Sequence, residues 1–341
     1  MRRVPILGGA CFSLPIIGPS SRFRFRIFIL TVAVIGALAA PQEGPTVFRA
    51  DTRLVVCHTT VVDNKTGHLV TDLPKSAFTV FENDVKQEIK VFKREDIPVS
   101  MGLVIDNSGS MRPKRSSVES AALALVKESN PEDEVYIVNF NDTAYIDNPH
   151  GKPFTSDIEE MKEALTRIDA RGGTAMRDAI QESIEWMKKA NKDKKVLVVI
   201  TDGVDNSSDE VANSLENVVR SARQSGVVIY CVGLLNEEIK RDEARARREL
   251  NALAEASGGE TYYPKDVSEV DRIAHQVAHD IRSQYTIEYT PSNTAMDGTF
   301  RKIRVAVSAP GRLTPRTRTG YYATPDQAQP PKSGGASHLR P

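Results

Sequence analysis

The chain has no excess of charge of either sign, because 45 lysines and arginines balance 45 aspartates and glutamates among its 341 residues. A neutral chain creates no overall field that would attract nucleic acid or an anionic membrane. We therefore expect no nucleic-acid partner, and a membrane contact only through the N-terminal segment. A partner would have to be selected by a local site.

Long hydrophobic runs are also scarce. The apolar run Ile27–Ala40 is shorter than the roughly 20 residues that a membrane-spanning helix needs. It follows Arg22, Arg24 and Arg26 and ends in small residues, an order that is typical of a secretory signal peptide. We predict that residues 1–40 are a signal peptide or, as the alternative, an uncleaved N-terminal anchor. Either form predicts an exported protein in the periplasm, the cell envelope or the extracellular space.

The chain also contains few cysteines, three in all. Cys11 lies within the predicted export segment, whereas Cys57 and Cys231 lie in strand-like runs of two different predicted units. These positions favour two small buried side chains over a disulfide. An export signal without a disulfide framework is typical of a bacterial envelope protein.

Two hydrophobic patterns divide the rest of the sequence. Residues 47–96 alternate apolar and polar side chains between turn signals, which predicts short strands. Across residues 97–283, apolar runs alternate with amphipathic segments, which predicts a parallel sheet covered by helices on both faces. The predicted strands are Met101–Ile105, Val135–Phe140, Val196–Ile200 and Val227–Val232, and the predicted helices are 113–128, 157–168, 174–190, 211–225, 244–256 and 267–283.

Alternating strand patterns return in residues 284–323. We predict that they complete the strands of residues 47–96 as a small β-sandwich-like unit that flanks an inserted α/β domain. Residues 324–341 are rich in Pro, Gln, Gly and Ser, which predicts a disordered tail. The predicted fold class is therefore α/β, a Rossmann-like, doubly wound, mainly parallel sheet with a flanking β unit.

A polar loop follows the first predicted strand of the α/β region. It places Asp106, Ser108 and Ser110 at alternate positions, and Gly109 permits a tight bend between them. Ligands of open α/β sheets bind at the carboxyl ends of the strands, where this loop must lie. A carboxylate and two hydroxyls can thus converge on one point. Such hard oxygen donors suit Mg²⁺ or Mn²⁺ and leave Ca²⁺ open, whereas zinc would favour His or Cys.

Two later loops would reach the same edge of the sheet. Thr174 opens a predicted helix after Gly172 and Gly173, and Asp202 follows the strand that ends at Ile200. Thr174 can offer a hydroxyl while it caps the helix. Asp202 can offer a second carboxylate, directly or through water. The candidate metal ligands are Asp106, Ser108, Ser110, Thr174 and Asp202.

These five residues, in this order and on these elements, resemble the metal-ion-dependent adhesion site of von Willebrand factor A domains. The resemblance covers about residues 97–283, and the flanking segments are similar to those of a bacterial group of exported, von Willebrand A-related proteins. In that family the serines coordinate the ion, the threonine joins or leaves with conformational state, and the aspartates act largely through water. An Asp or Glu side chain of a partner protein completes the shell. The resemblance implies a metal-dependent protein-binding module and not an enzyme.

Two other functions remain open, namely an exported scaffold or assembly factor with a purely structural ion, and a metal-dependent hydrolase. A dehalogenase-like phosphatase would carry a second carboxylate where Ser108 stands. A serine hydrolase would need a Gly-x-Ser-x-Gly elbow, which the residues around Ser108 do not form. His275 and His279 have the spacing of a zinc pair, but the glutamate of the metalloprotease pattern is absent between them.

Overall fold

The computed structural model describes residues 54–325, apart from 95, 129, 149–150, 167–169 and 236–239. The predicted export segment, residues 1–40, lies outside the described residues, as does the predicted tail from residue 326 onward. None of the helices in the described part of the chain combines the length and the hydropathy that crossing a bilayer requires.

The secondary structure alternates strands and helices through the middle of the chain, whereas the described parts of the flanks contain strands and one short 3₁₀ helix, Lys75–Ala77. The described strands are β1 (Val55–Asp63), β2 (Phe78–Glu82), β3 (Val85–Gln87), β4 (Ile89–Lys93), β5 (Val99–Asp106), β6 (Glu134–Phe140), β7 (Ala144–Ile146), β8 (Lys194–Thr201), β9 (Val228–Gly233), β10 (Thr261–Tyr262), β11 (Tyr285–Tyr289), β12 (Phe300–Val307), β13 (Leu313–Arg316) and β14 (Gly320–Tyr322). The described α-helices are α1 (Arg115–Lys127), α2 (Ile158–Thr166), α3 (Met176–Trp186), α4 (Leu215–Ser225), α5 (Lys240–Ser257) and α6 (Val270–Arg282).

A six-stranded sheet with the order β10-β9-β8-β5-β6-β7 forms the centre of the α/β region. Neighbouring strands are parallel except for β7, which pairs antiparallel with β6 at one edge. Every residue of β5 and β9 is buried, which explains why these strands have continuous apolar sequences. The carboxyl ends of β5 and β8, two neighbouring strands, therefore lie side by side at one edge of the sheet.

Helices cover both faces of this sheet. Apolar side chains of α1, α2 and α6 pack on one face, and those of α3, α4 and α5 pack on the other. The predicted doubly wound α/β fold is thus confirmed. Helix α4 begins at Leu215, a few residues after the approximate predicted start at residue 211, because the Ser214 hydroxyl accepts a hydrogen bond from the Asn217 amide and caps the helix.

Strands from both flanks of the α/β region pair with one another. They form two antiparallel sheets of four strands, ordered β13-β1-β11-β4 and β14-β12-β2-β3. Between the sheets, Glu82 Oε2 accepts hydrogen bonds from the hydroxyls of Tyr289 (2.8 Å) and Tyr321 (2.9 Å). One carboxylate thereby links side chains from both sheets. The domain boundaries at residues 97 and 283 stay a prediction.

The two cysteines among the described residues are free and buried, as predicted. Cys57 lies in β1 and Cys231 in β9, within different hydrophobic cores. Burial raises the pKa of each thiol to about 12, so both stay protonated near neutral pH. They act as small apolar side chains.

Candidate metal site

Asp106 is the last residue of β5, and its carboxylate is held in one orientation. Its side chain is buried, and Oδ2 accepts a hydrogen bond of 2.6 Å from the Thr201 hydroxyl at the end of β8. Oδ1 accepts from the Ser108 amide at 2.8 Å. The carboxylate is thus pinned between the first strand of the α/β region and its neighbour in the sheet.

The two serines of the loop lie next to each other. After Ser108 the chain turns into a short 3₁₀ helix, Gly109–Met111, which brings the hydroxyl oxygens of Ser108 and Ser110 within 3.1 Å. Ser110 also donates a hydrogen bond of 2.8 Å to Asp202 Oδ1. Ser108 is buried whereas Ser110 is exposed, so the group is reached from solvent on the Ser110 side.

Asp202 directly follows β8 and lies opposite Ser110. Its side chain is buried, and its second oxygen, Oδ2, accepts a hydrogen bond of 2.7 Å from Lys114 Nζ. Four of the predicted ligands, Asp106, Ser108, Ser110 and Asp202, are therefore joined into one hydrogen-bonded group, in which Asp106 is linked through the Ser108 amide. Sequence reasoning missed both Lys114 and Thr201.

Thr174 reaches the same region on a third loop. It lines a cavity of about 270 Å³ together with Ser110, and the other lining residues include Asn206, Asp242 and Arg245. The predicted capping role is wrong, because Ala175 occupies the N-cap position of α3, and the amides of Arg177 and Asp178 in its first turn donate to the side chains of Asp205 and Ser208. The Thr174 amide instead donates to Asn206 Oδ1 at 2.9 Å. Its hydroxyl is not used for capping.

The approach of the three loops depends on glycine. The Gly109 amide donates to the Gly172 carbonyl at 3.2 Å. This hydrogen bond connects the loop that carries Ser108 and Ser110, the serine loop, to the loop that carries Thr174, the threonine loop. Gly172 has a positive φ of +77°, a conformation that other residues rarely adopt. A side chain at Gly173 would collide with Ser207 and Asn206. The Gly-Gly pair thus lets the threonine loop lie against its neighbours.

The polar segment after Asp202 anchors the threonine loop. Asp205 of this segment is fully buried. Its carboxylate accepts from the Arg177 amide at 2.6 Å and pairs with the Arg177 guanidinium at 3.1 Å. The Ser208 hydroxyl also donates to it at 2.6 Å. This network fixes Asn206 beside Thr174, and no local pattern marked it.

The donor set fits a small, hard divalent ion, since two carboxylates and hydroxyl oxygens are the ligands that Mg²⁺ and Mn²⁺ take. Within the described residues, no group of three or more His, Cys, Asp or Glu side chains could hold a metal ion. His275 pairs with Glu128 (2.5 Å) and Asp271 (3.4 Å) on an exposed helix surface. A metal at this edge of the sheet would thus depend on the serine and threonine hydroxyls.

Metal affinity is expected to fall as the pH drops through about 6. Burial raises the pKa of Asp106 to about 6, with the charge of Asp202 contributing, and a protonated carboxyl binds a divalent ion poorly. Calorimetric titration of Mn²⁺ at about pH 7 and about pH 5 would measure the loss. Equal affinities at both values would contradict the expectation.

In the protein without a bound ion, the free energy of unfolding should instead increase as the pH falls through about 6. The folded pKa of Asp106, about 6, lies above its ordinary value of 3.8. Its contribution to the free energy of unfolding is therefore fully present below about pH 4 and is lost as the pH rises through about 6. Asp106→Asn, which cannot titrate, is the matched control in thermal unfolding of chelator-treated protein.

Comparisons with known proteins relate the chain to one family. The family model of the von Willebrand factor type A domain matches residues 101–276. Inter-alpha-trypsin inhibitor heavy chain H4 of Bos taurus is 25% identical over 220 residues, which cover 61% of this chain and 23% of that protein. The uncharacterized protein YfbK of Escherichia coli (strain K12) is 27% identical over 215 residues, which cover 59% of this chain and 35% of that protein.

The chain thus spans well under half of the length of these relatives. Among solved structures, a von Willebrand factor type A protein from Catenulispora acidiphila matches with a TM-score of 0.49 and 16% identity. That match covers 80% of this chain and 75% of the solved chain.

Proposed function

The chain belongs to the von Willebrand factor type A domain family, and from this premise we propose that it is an exported, metal-dependent protein-binding module. A divalent ion, Mg²⁺ or Mn²⁺ with Ca²⁺ left open, would be held by Asp106, Ser108, Ser110, Thr174 and Asp202. The observation that carries the proposal is the convergence of these oxygen-bearing side chains from three loops beside an open cavity. We propose no catalytic role.

The partner would supply an Asp or Glu carboxylate to the ion. Hydroxyl ligands carry no charge, so the ion would remain strongly electrophilic and would attract an external anion at its solvent side. Exposed Ser110 marks that side, and the neighbouring cavity of about 270 Å³ has room for a side chain. Asp242 and Arg245 of α5 also line it, so the surroundings of the carboxylate offer both charges. These two residues would influence which sequences around the acidic residue are accepted.

Selection from a displayed random-peptide library tests the proposal. The protein is loaded with Mn²⁺ in one arm and treated with a chelator in the other. We expect the Mn²⁺ arm alone to enrich peptides that share an Asp or Glu, and synthetic Asp→Asn or Glu→Gln versions of these peptides to lose binding. The Asp106→Ala chain serves as the control for binding outside the site.

The opposite results favour the alternatives. A protein that binds Mn²⁺ but selects the same peptides in both arms would have a structural ion, as in the scaffold hypothesis. Turnover of a phosphate or acyl substrate that disappears in Asp106→Ala would support a hydrolase. Either outcome would contradict the proposed binding function.

A further inference from the structure

Lys114 brings a positive charge into the proposed metal site. It is the residue before α1, and its side chain is only 7% exposed. Nζ lies 2.7 Å from Asp202 Oδ2, and the Asp202 side chain is 1% exposed. Lysine is almost never buried unless it is paired, so the buried ammonium group depends on partners such as Asp202.

Residues of one short segment occupy both oxygens of Asp202. Ser110 donates to Oδ1 at 2.8 Å, and Lys114 donates to Oδ2 at 2.7 Å. The ammonium group therefore already balances one of the two carboxylates in the ligand set. A divalent ion beside Asp202 would meet the repulsion of a buried cation, and such repulsion is strong where water is excluded.

We infer that Lys114 is an internal counter-ion that competes with the divalent ion for Asp202 and so limits the metal affinity. The inference rests on the proposed function, because it assumes that Asp202 takes part in metal binding. Without a bound ion, Lys114 neutralises Asp202 and keeps its carboxylate in place. On metal binding, the ammonium group moves away from Asp202 Oδ2, and the cost of that movement weakens the affinity.

Replacement of Lys114 by methionine in the full chain tests the competition. Methionine has an unbranched, uncharged side chain of similar length. In calorimetric titrations with Mn²⁺, we expect Lys114→Met to bind at least about tenfold more tightly than the parent, since the repulsive charge is gone. Arg115→Met is the matched control, because Arg115 pairs with Glu119 on α1 at 2.7 Å and not with Asp202. Its affinity should stay within about threefold of the parent.

A second readout does not depend on tighter binding. In chelator-treated protein, Lys114→Met should melt at a lower temperature than the parent, because the buried Asp202 carboxylate loses its positively charged partner and keeps only the hydrogen bond from Ser110. Saturating Mn²⁺ should then raise the melting temperature of the variant by more than that of the parent. If Lys114→Met does not fold, Lys114→Gln takes its place in both measurements.

The outcomes of these measurements distinguish the inference about Lys114 from the proposed function. A parent that binds Mn²⁺ together with a variant of equal or weaker affinity overturns the inference and leaves the proposed function standing. Weaker binding would mean that Lys114 positions Asp202 as a ligand. Absence of Mn²⁺ binding in both proteins would overturn the metal site and the inference with it.

Discussion

Asp106→Ala is expected to lower the affinity for Mn²⁺ and Mg²⁺ by more than about 100-fold, since changing only the partners of metal ligands already costs 10-fold to 100-fold. The carboxylate that would be removed is the one pinned by Thr201 and by the Ser108 amide. Its loss removes one negative charge and also the group that orients the serine loop. Ser108→Ala should lose most of the binding as well. Calorimetric titration of chelator-treated protein measures both effects.

The same substitution should not unfold the protein. Burial raises the pKa of Asp106 to about 6, so the ionised side chain is less stable in the folded chain than in the unfolded chain when no cation compensates it. Asp106→Ala should therefore melt close to the parent in the presence of a chelator. Asp142→Asn is the matched control, because exposed Asp142 accepts a hydrogen bond from the Gly173 amide at 2.7 Å and lies outside the predicted ligand set. Wild-type affinity in Asp106→Ala would remove the proposed site.

Asp280→Ala is expected to lower the free energy of unfolding by about 3–5 kcal/mol, the usual cost of removing one partner of a buried ion pair. Asp280 lies on α6, is 2% exposed, and pairs with Arg316 of β13, which also pairs with Glu260. The Tyr262 hydroxyl donates to the same carboxylate at 3.3 Å. The cluster joins a helix of the α/β region to a strand of the flanking sheets. Disruption of this cluster should therefore destabilise both the α/β region and the flanking sheets.

Urea unfolding compares Asp280→Ala with Asp271→Ala. Asp271 lies on the same helix, but its side chain is 62% exposed, and its contact with His275 is 3.4 Å long. We expect the Asp271 variant to change stability by less than about 0.5 kcal/mol, as is usual at exposed sites. Equal effects of the two substitutions would show that the Asp280 cluster does not stabilise the fold.

The hydrophobic pattern predicted the α/β architecture well, because the apolar runs of strands and the helical spacing of apolar residues are local properties of the chain. The runs that became β5 and β9 are apolar at nearly every position, as strands covered on both faces must be. The last predicted helix, 267–283, likewise has apolar residues at helical spacing, and its Val270, Ile273 and Val277 lie in the core. Element ends were less certain, since a single side chain such as Ser214 decides where α4 begins.

The candidate ligands could be found because three of them follow one strand within a few residues, and parallel strands bring later loops to the same edge. The capping role assigned to Thr174 was wrong, since the chain enters α3 through Ala175. Thr201 could have been noticed as the residue next to Asp202. Nothing in the sequence distinguishes Lys114 from Arg112 and Arg115, yet only Lys114 of the three is buried.

By itself, the sequence determined the fold class, and it predicted the edge of the sheet at which a site would form and the hard-oxygen chemistry of the candidate ligands. The tertiary structure alone decided which charges meet there. Lys114 and Asp202 are separated by 88 positions, and Arg177 and Asp205 by 28. Periodicity reports which face of an element is buried, but a buried polar side chain is stabilised by whichever partner the packing brings within reach. The balance of charge that would set metal affinity is therefore a property of the folded chain.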